Sequence, residues 1–389
     1  MSDYHQNSLR VIPYNPQLDG LRFCAVLFVL CYHWLPKVFP TEMSFLFIGF
    51  VNFFFVLSSY LITKILIFSK AKANTVGASG LQLISFFLFR RSIRIFPAYY
   101  LYLIILLFLP IIGDEINKNA IMYFSYLSNY QIYFGQIWPI STAHLWTLAV
   151  EEQYYIIWPI IIIFTPEKYI FNTLLGIIIF GVLLRVLFYV PSTAIPQVIL
   201  TQFCIDPFAI GGLLAYKYSK SEYENHWLSK FFNFLIYPSI LIAIISIFVK
   251  SYYASFVINN LIFSIISYRL IEIAIFGYKG FLARFLENRF ILYLGKISYG
   301  IYLYHLIIPV VFWKLFNKIY SHFYFLYTSF FISNQKGLNV FIKIISSEIS
   351  CFIIYFFLTT GIAMLSWNLV EKQFNKLKFL FNPAKQKQV

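Results

Sequence analysis

The residues with most chemical potential fall into four clusters. The first holds Leu18-Asp19-Gly20-Leu21-Arg22 and, further along one apolar run, Cys31-Tyr32-His33-Trp34. Eleven helical steps from Arg22 to His33 overshoot three full turns by about 20°, so both side chains share one face, roughly 16 Å apart along the axis. An ionisable group inside an apolar helix is costly and usually faces a polar cavity. Anchoring at the two interfaces is the alternative reading. The second cluster is Arg90, Arg91 and Arg94, just ahead of Ile95-Phe96-Pro97-Ala98-Tyr99-Tyr100. Spacings of three and four give a forked guanidinium face, which suits phosphate groups bound through paired hydrogen bonds. Plain positive-inside anchoring fits the same residues.

The third cluster is His144-Leu145-Trp146-Thr147-Leu148-Ala149-Val150-Glu151-Glu152-Gln153-Tyr154-Tyr155. Neighbouring residues on a helix diverge by about 100°, so one of Glu151 and Glu152 is expected to face a given cavity. Two acids at a helix start also suit the helix dipole. Against that stands their scarcity, with 15 Asp and Glu in 389 residues. In the fourth cluster, Ser298, Tyr302 and His305 fall at i, i+4 and i+7 and form one polar stripe. It can line a cavity, or act as helix–helix glue with Gly295 and Gly300 allowing close approach. Asn52, Ser58, Ser59 and Tyr60, and Asp206 further on, are lesser polar intrusions that together suggest a polar path. No G-x-S-x-G elbow, P-loop or H-E-x-x-H pair is present, so a serine hydrolase is not supported and no metal site is expected.

The elements that must position these groups follow from composition. Hydrophobic residues make up 60% and charged residues 12%, and mean hydropathy is +0.74. A soluble globule, a disordered chain and a coiled coil are excluded, and the short alternating strands of a transmembrane barrel are absent. An all-α, polytopic transmembrane bundle remains. Windows of about 20 apolar residues mark ten spans, near 19–37, 44–69, 92–112, 149–165, 170–190, 198–217, 229–250, 254–276, 293–316 and 347–370. With the N-terminus inside, most of the 30 Lys and Arg, including Lys64, Lys70, Lys168, Lys217, Lys296 and the tail lysines, fall on the cytoplasmic side, which predicts ten spans with both termini cytoplasmic. The net charge of +15 is thus read as membrane orientation, with no nucleic-acid partner. Cys24, Cys31, Cys204 and Cys351 lie in apolar stretches and form no disulfide or zinc pattern. The N-terminus lacks the features of a cleavable signal. The division expected is a cytoplasmic segment 1–18, one membrane domain 19–370 and a basic cytoplasmic tail 371–389.

The pieces LDGLR…H, FFFVLSSYLIT, FRRSIRIFPAYY, HLWTLAVEEQYY and GKISYGIYLYH occur in that order. Over about residues 14–375 the chain resembles the integral-membrane acyltransferase family 3, bacterial carbohydrate O-acyltransferases. The resemblance implies that His33 is catalytic, that Arg91 and Arg94 engage a cytoplasmic acyl-CoA donor together with Arg22 and Arg90, and that Glu151 and Glu152 are the family's acidic pair. It implies no resident cofactor; acetyl-CoA or another acyl-CoA is the donor substrate, acetyl being the commoner group. The acceptor implied is a hydroxyl of a surface or exported carbohydrate or a lipid-linked glycan, at the inner (plasma) membrane. His33 is expected to act as general base on that hydroxyl, with Glu151 or Glu152 orienting the ring or stabilising the imidazolium; a covalent acyl-histidine is the open alternative. Asp19, Ser58, His144, Asp206, Ser298, Tyr302 and His305 are expected to line the cavity.

Two departures stand out. The family's Ser-Gly in the second span is Ser58-Ser59 here. A chain of this length also leaves no room for the extracytoplasmic domain many members carry, so final transfer is expected within the membrane domain or on a separate extracytoplasmic partner. The competing reading is a transporter or flippase for acyl groups or lipid-linked sugars, against which the absence of matching halves argues; a non-catalytic scaffold would not need the Arg/His pair. Segments 113–148 and 317–346 are expected to select the acceptor.

Overall fold

The computed structural model describes residues 14–38, 44–191, 194–219, 226–248, 252–330 and 346–377. Among these the regular structure is helical throughout. The helices are α1 (Pro16–Trp34), α2 (Ser44–Val76), α3 (Gly80–Phe108), α4 (Pro110–Phe124), α5 (Ser128–Gly135), α6 (Leu145–Phe164), α7 (Ile170–Leu187) and α8 (Ile205–Ser219). They continue as α9 (His226–Phe248), α10 (Tyr252–Phe276), α11 (Gly280–Leu286), α12 (Arg289–Lys296), α13 (Ser298–Tyr304), α14 (Ile307–Phe330), α15 (Glu348–Ser366) and α16 (Lys372–Lys376). A π-helical turn, Trp367–Glu371, joins the last two.

Seven helical stretches are long and apolar enough to cross a membrane, and α13 with α14 forms an eighth bent by 51°. The first and sixth expected spans are helices outside that set. α1 carries Asp19, Gly20 and Arg22 in its first half. α8 has only 15 residues, about 22 Å against a hydrocarbon core of about 30 Å, because residues 197–203 coil into two 3-10 turns. The outer faces suit lipid: α9 buries only 17% of its apolar window inside the protein, and α7 22%. α2, with 61% buried, is the central helix and packs on α8, α10, α1 and α6.

Two contacts define how closely the centre is assembled. A Cβ on Gly211 of α8 would lie 2.2 Å from Val56 O and 2.8 Å from Ser59 Cβ. Ser59 is buried and donates to Phe208 O across the same contact. Ser59, standing where the family has glycine, thus packs closely because the facing helix brings Gly211 to the contact. Likewise a Cβ on Gly295 would meet Asp19 O at 2.0 Å, which locks α12 onto α1.

Several expected boundaries move. α3 starts at Gly80, where Ser79 and Gln82 form a reciprocal capping box. Arg90, Arg91 and Arg94 therefore sit mid-helix and do not open a span. α6 starts at Leu145 and has no acid in its first turn, which removes the helix-dipole account of Glu151 and Glu152. Segment 113–148 is largely α4 and α5. α14 carries helix through residues 317–330, while 331–345 lie outside the described residues, as do 1–13 and 378–389 of the expected terminal segments.

Candidate active site

A cavity of about 140 Å³ lies between α1, α2, α3, α6, α12, α13 and the π-turn. Arg22, Arg91, Arg94 and Lys296 line it, with Ser58, Glu151, Tyr155, Ser298, Tyr302, Trp367 and Glu371. One cation is held by a carboxylate and two lie against aromatic rings. Asp19 Oδ1 accepts from Arg22 at 2.6 Å, and its other oxygen accepts from Tyr14 at 2.7 Å. The Arg91 guanidinium lies over Tyr155 and Phe87, 5.4 and 5.7 Å from the ring centres. Lys296 Nζ sits 5.2 Å from the Trp367 ring. Arg94 keeps a large accessible surface because it faces the cavity. Four cations against Glu151 and Glu371, in walls made of Val51, Phe54, Phe55 and Leu61, make a site for an anion with an apolar extension.

The two adjacent acids separate as their 100° divergence requires. Glu151 faces the cavity, accepting from Ser58 at 3.0 Å and Tyr155 at 3.1 Å. Glu152 turns away and is buried, its Oε1 without a partner among the described residues. Neither carboxylate hydrogen-bonds His33, so the expected orienting role finds no support in the contacts.

His33 occupies a second compartment. Its ring centre lies 5.1 Å from that of His305, which lies 4.9 Å from that of His144; Phe47 closes the other side at 5.1 Å. His144 Nε2 is 2.9 Å from Leu303 O, and His305 Nδ1 is 2.6 Å from Tyr302 O. The break between α13 and α14 makes these carbonyls available. Pro309 has no amide hydrogen for His305 O, which accepts from Trp34 Nε1 at 3.3 Å instead. Tyr302 belongs to both compartments: it lines the cavity, hydrogen-bonds Thr147 at 2.7 Å, and its ring centre is 5.4 and 5.5 Å from those of His305 and His144.

Among the expected residues, Arg22, Arg91, Arg94, Ser58, Glu151, Ser298 and Tyr302 converge on the cavity. Asp19 supports it through Arg22. His33, His144 and His305 meet one another beyond Tyr302. Arg90 is exposed and does not line the cavity; it shares Arg94's side of α3 but lies about 40° beyond it, past the edge of the face that Arg91, Arg94 and Ile95 present. Asp206 is not a lining residue either. It is fully buried in a paired ion contact with Arg185, at 2.6 and 2.9 Å. Sequence reasoning missed Lys296, Trp367 and Glu371 as site residues. Glu371 was assigned to the tail, although an acid so close to a long apolar run was a signal.

Helices long and apolar enough to cross a membrane, packed around a basic cavity beside a cluster of three imidazoles, make this a multi-pass membrane protein. A family model described as "Acyltransferase domain" matches residues 15–370, and the chain belongs to that family of acyltransferases. It is similar to the peptidoglycan O-acetyltransferase OatA of Listeria monocytogenes, 33% identical over 46% of this chain and 30% of that protein. It is also similar to the O-acetyltransferase OatA of Staphylococcus aureus, 28% identical over 96% of this chain and 60% of that protein. The chain thus spans 60% or less of these relatives' length. No solved structure matches it.

Proposed function

We propose that this protein is a transmembrane O-acetyltransferase of the cell membrane, moving an acetyl group from cytoplasmic acetyl-CoA to a hydroxyl of an exported carbohydrate. Peptidoglycan is the acceptor favoured by the names of its relatives. The observation that carries the reading is the convergence of Arg22, Arg91, Arg94 and Lys296 on one cavity whose wall, Tyr302, also touches the histidine cluster. In this reading the cations hold the donor's phosphates and the pantetheine arm runs along the apolar wall past Tyr302 toward His33. Neutral His33 removes the acceptor hydroxyl's proton as that oxygen attacks the thioester carbonyl. Glu151, held by Ser58 and Tyr155, lies on the donor side of Tyr302. One membrane domain, 19–370, carries these steps. The N-terminal segment and the basic tail lie in the cytoplasm, ten helices cross, and a separate extracytoplasmic partner completes transfer where the acceptor lies beyond the membrane's reach.

Isolated membranes containing the full chain, supplied with radiolabelled acetyl-CoA and peptidoglycan precursors or fragments, test the proposal. Label is expected in acceptor, with free CoA released in proportion. His33→Ala is expected to reduce this by about 100-fold or more. Full transfer by that variant, or transport of label without CoA release, would overturn the assignment.

A further inference from the structure

We infer that His305 is the positioning residue of His33, accepting its proton-bearing nitrogen and leaving the other ring nitrogen bare for the acceptor hydroxyl; this rests on the acyl-transfer reading above. The argument begins with tautomers. His305 Nδ1 lies 2.6 Å from Tyr302 O, and a carbonyl only accepts, so in the neutral ring Nδ1 carries the proton and Nε2 the lone pair. His305 is fully buried, and that Nε2 has no hydrogen-bond partner among the described residues. His144 is fixed in the same way through Nε2 and Leu303 O, which leaves its Nδ1 bare, buried and unpartnered. Neither ring can donate to the other.

His33 is the imidazole able to supply the missing donor. Its ring centre is 5.1 Å from that of His305, and its own Nε2 is shielded and unpartnered among the described residues. Buried polar groups are hydrogen-bonded as a rule, and catalytic hydrogen bonds often tighten only with substrate present. In its Nε2–H tautomer His33 donates to His305 Nε2 and keeps Nδ1 as the base. His144, edge-on to His305 at 4.9 Å, fixes the plane of that acceptor. The hydroxyl proton then goes to Nδ1 of His33 as the ester C–O bond forms. The thioester C–S bond breaks, and the same proton passes to the departing thiolate.

Two measurements on the full chain in membranes test this. In acetyl transfer, His305→Ala is expected to lower kcat by at least about 10-fold with the KM for acetyl-CoA unchanged. His305→Gln, which retains an acceptor oxygen at similar reach, is expected to recover part of the loss, and adding His305→Ala to His33→Ala to cost nothing more. Independently of activity, diethyl pyrocarbonate modification of His33, followed by peptide mass spectrometry, reads the bare nitrogen. It is expected to slow several-fold in His305→Ala and to remain near the native rate in His305→Gln. Unchanged modification and kcat in His305→Ala, a change in KM alone, or a Gln variant no better than Ala would overturn the inference. A native chain that transfers no acetyl group would instead overturn the proposed function, while the modification rates still decide the pairing.

Discussion

Arg91 and Arg94 face the cavity and Arg90 does not, so three neighbouring arginines make a controlled experiment. Arg91→Ala and Arg94→Ala each remove a charged partner of a phosphate, an interaction of about 1.5–3 kcal/mol. Each is expected to raise the KM for acetyl-CoA roughly 10- to 100-fold, whereas Arg90→Ala leaves it within about twofold. Equal effects at all three, read by initial rates, would mean that the group acts as a membrane anchor. At this scale the sequence was informative where spacing decides direction. The 100° divergence of Glu151 from Glu152 follows from helical geometry, whereas spacing alone would also set Arg90 beside Arg94. What no local pattern holds is the meeting of His33, His144 and His305, which are separated by more than a hundred residues. Nor does it hold the placement of Asp206, whose partner Arg185 lies on another helix.

The helices themselves were mostly legible as apolar runs, but their starts were not. Ala71–Gln82 has the composition of a connection, yet Ser79 and Gln82 cap each other and the helix begins twelve residues ahead of the span start expected at residue 92. Extending α3 backward is what turns Arg91 and Arg94 from boundary charges into cavity walls. Two helix contacts depend on glycine for lack of space. Gly295→Ala would force a methyl group to within 2.0 Å of the Asp19 carbonyl, and Asp19 holds Arg22. The expected result is a loss of about 1–3 kcal/mol, seen as a lower melting temperature in detergent, with a raised KM for acetyl-CoA because Arg22 shifts with its helix. Gly361→Ala, where a Cβ meets nothing within 4 Å, serves as the neutral control.

For the molecule as a whole, seven crossings would leave the two ends on opposite sides, and eight or ten would leave them on the same side. Single cysteines at Tyr14 and Leu377, in a chain with its own four cysteines replaced, are expected to react with an impermeant maleimide only after the membrane is opened to expose its inner face. Labelling of one of them in sealed cells would remove the topology proposed here. The Arg185–Asp206 pair ties α7 to α8 and carries no exposed surface. Asp206→Asn leaves a buried guanidinium uncompensated and is expected to cost about 3–5 kcal/mol. Arg185→Met combined with Asp206→Leu is expected to regain most of it, as thermal unfolding would show. The count of crossings was the least legible feature of the sequence, because an apolar run predicts a helix more reliably than its length predicts passage through a bilayer.

The π-turn at Trp367–Glu371 has a consequence for deletions. Such a turn accommodates one residue more than an α-helix does over the same rise, so it resets the angular phase of all that follows. Removing a single residue there, for example Leu369, would let the helix rewind as an α-turn over the same rise and disturb the bond that Ser366 makes to the Glu371 carboxylate across the turn. In an ordinary span a one-residue loss scrambles the downstream half; here it would mostly re-aim one acid.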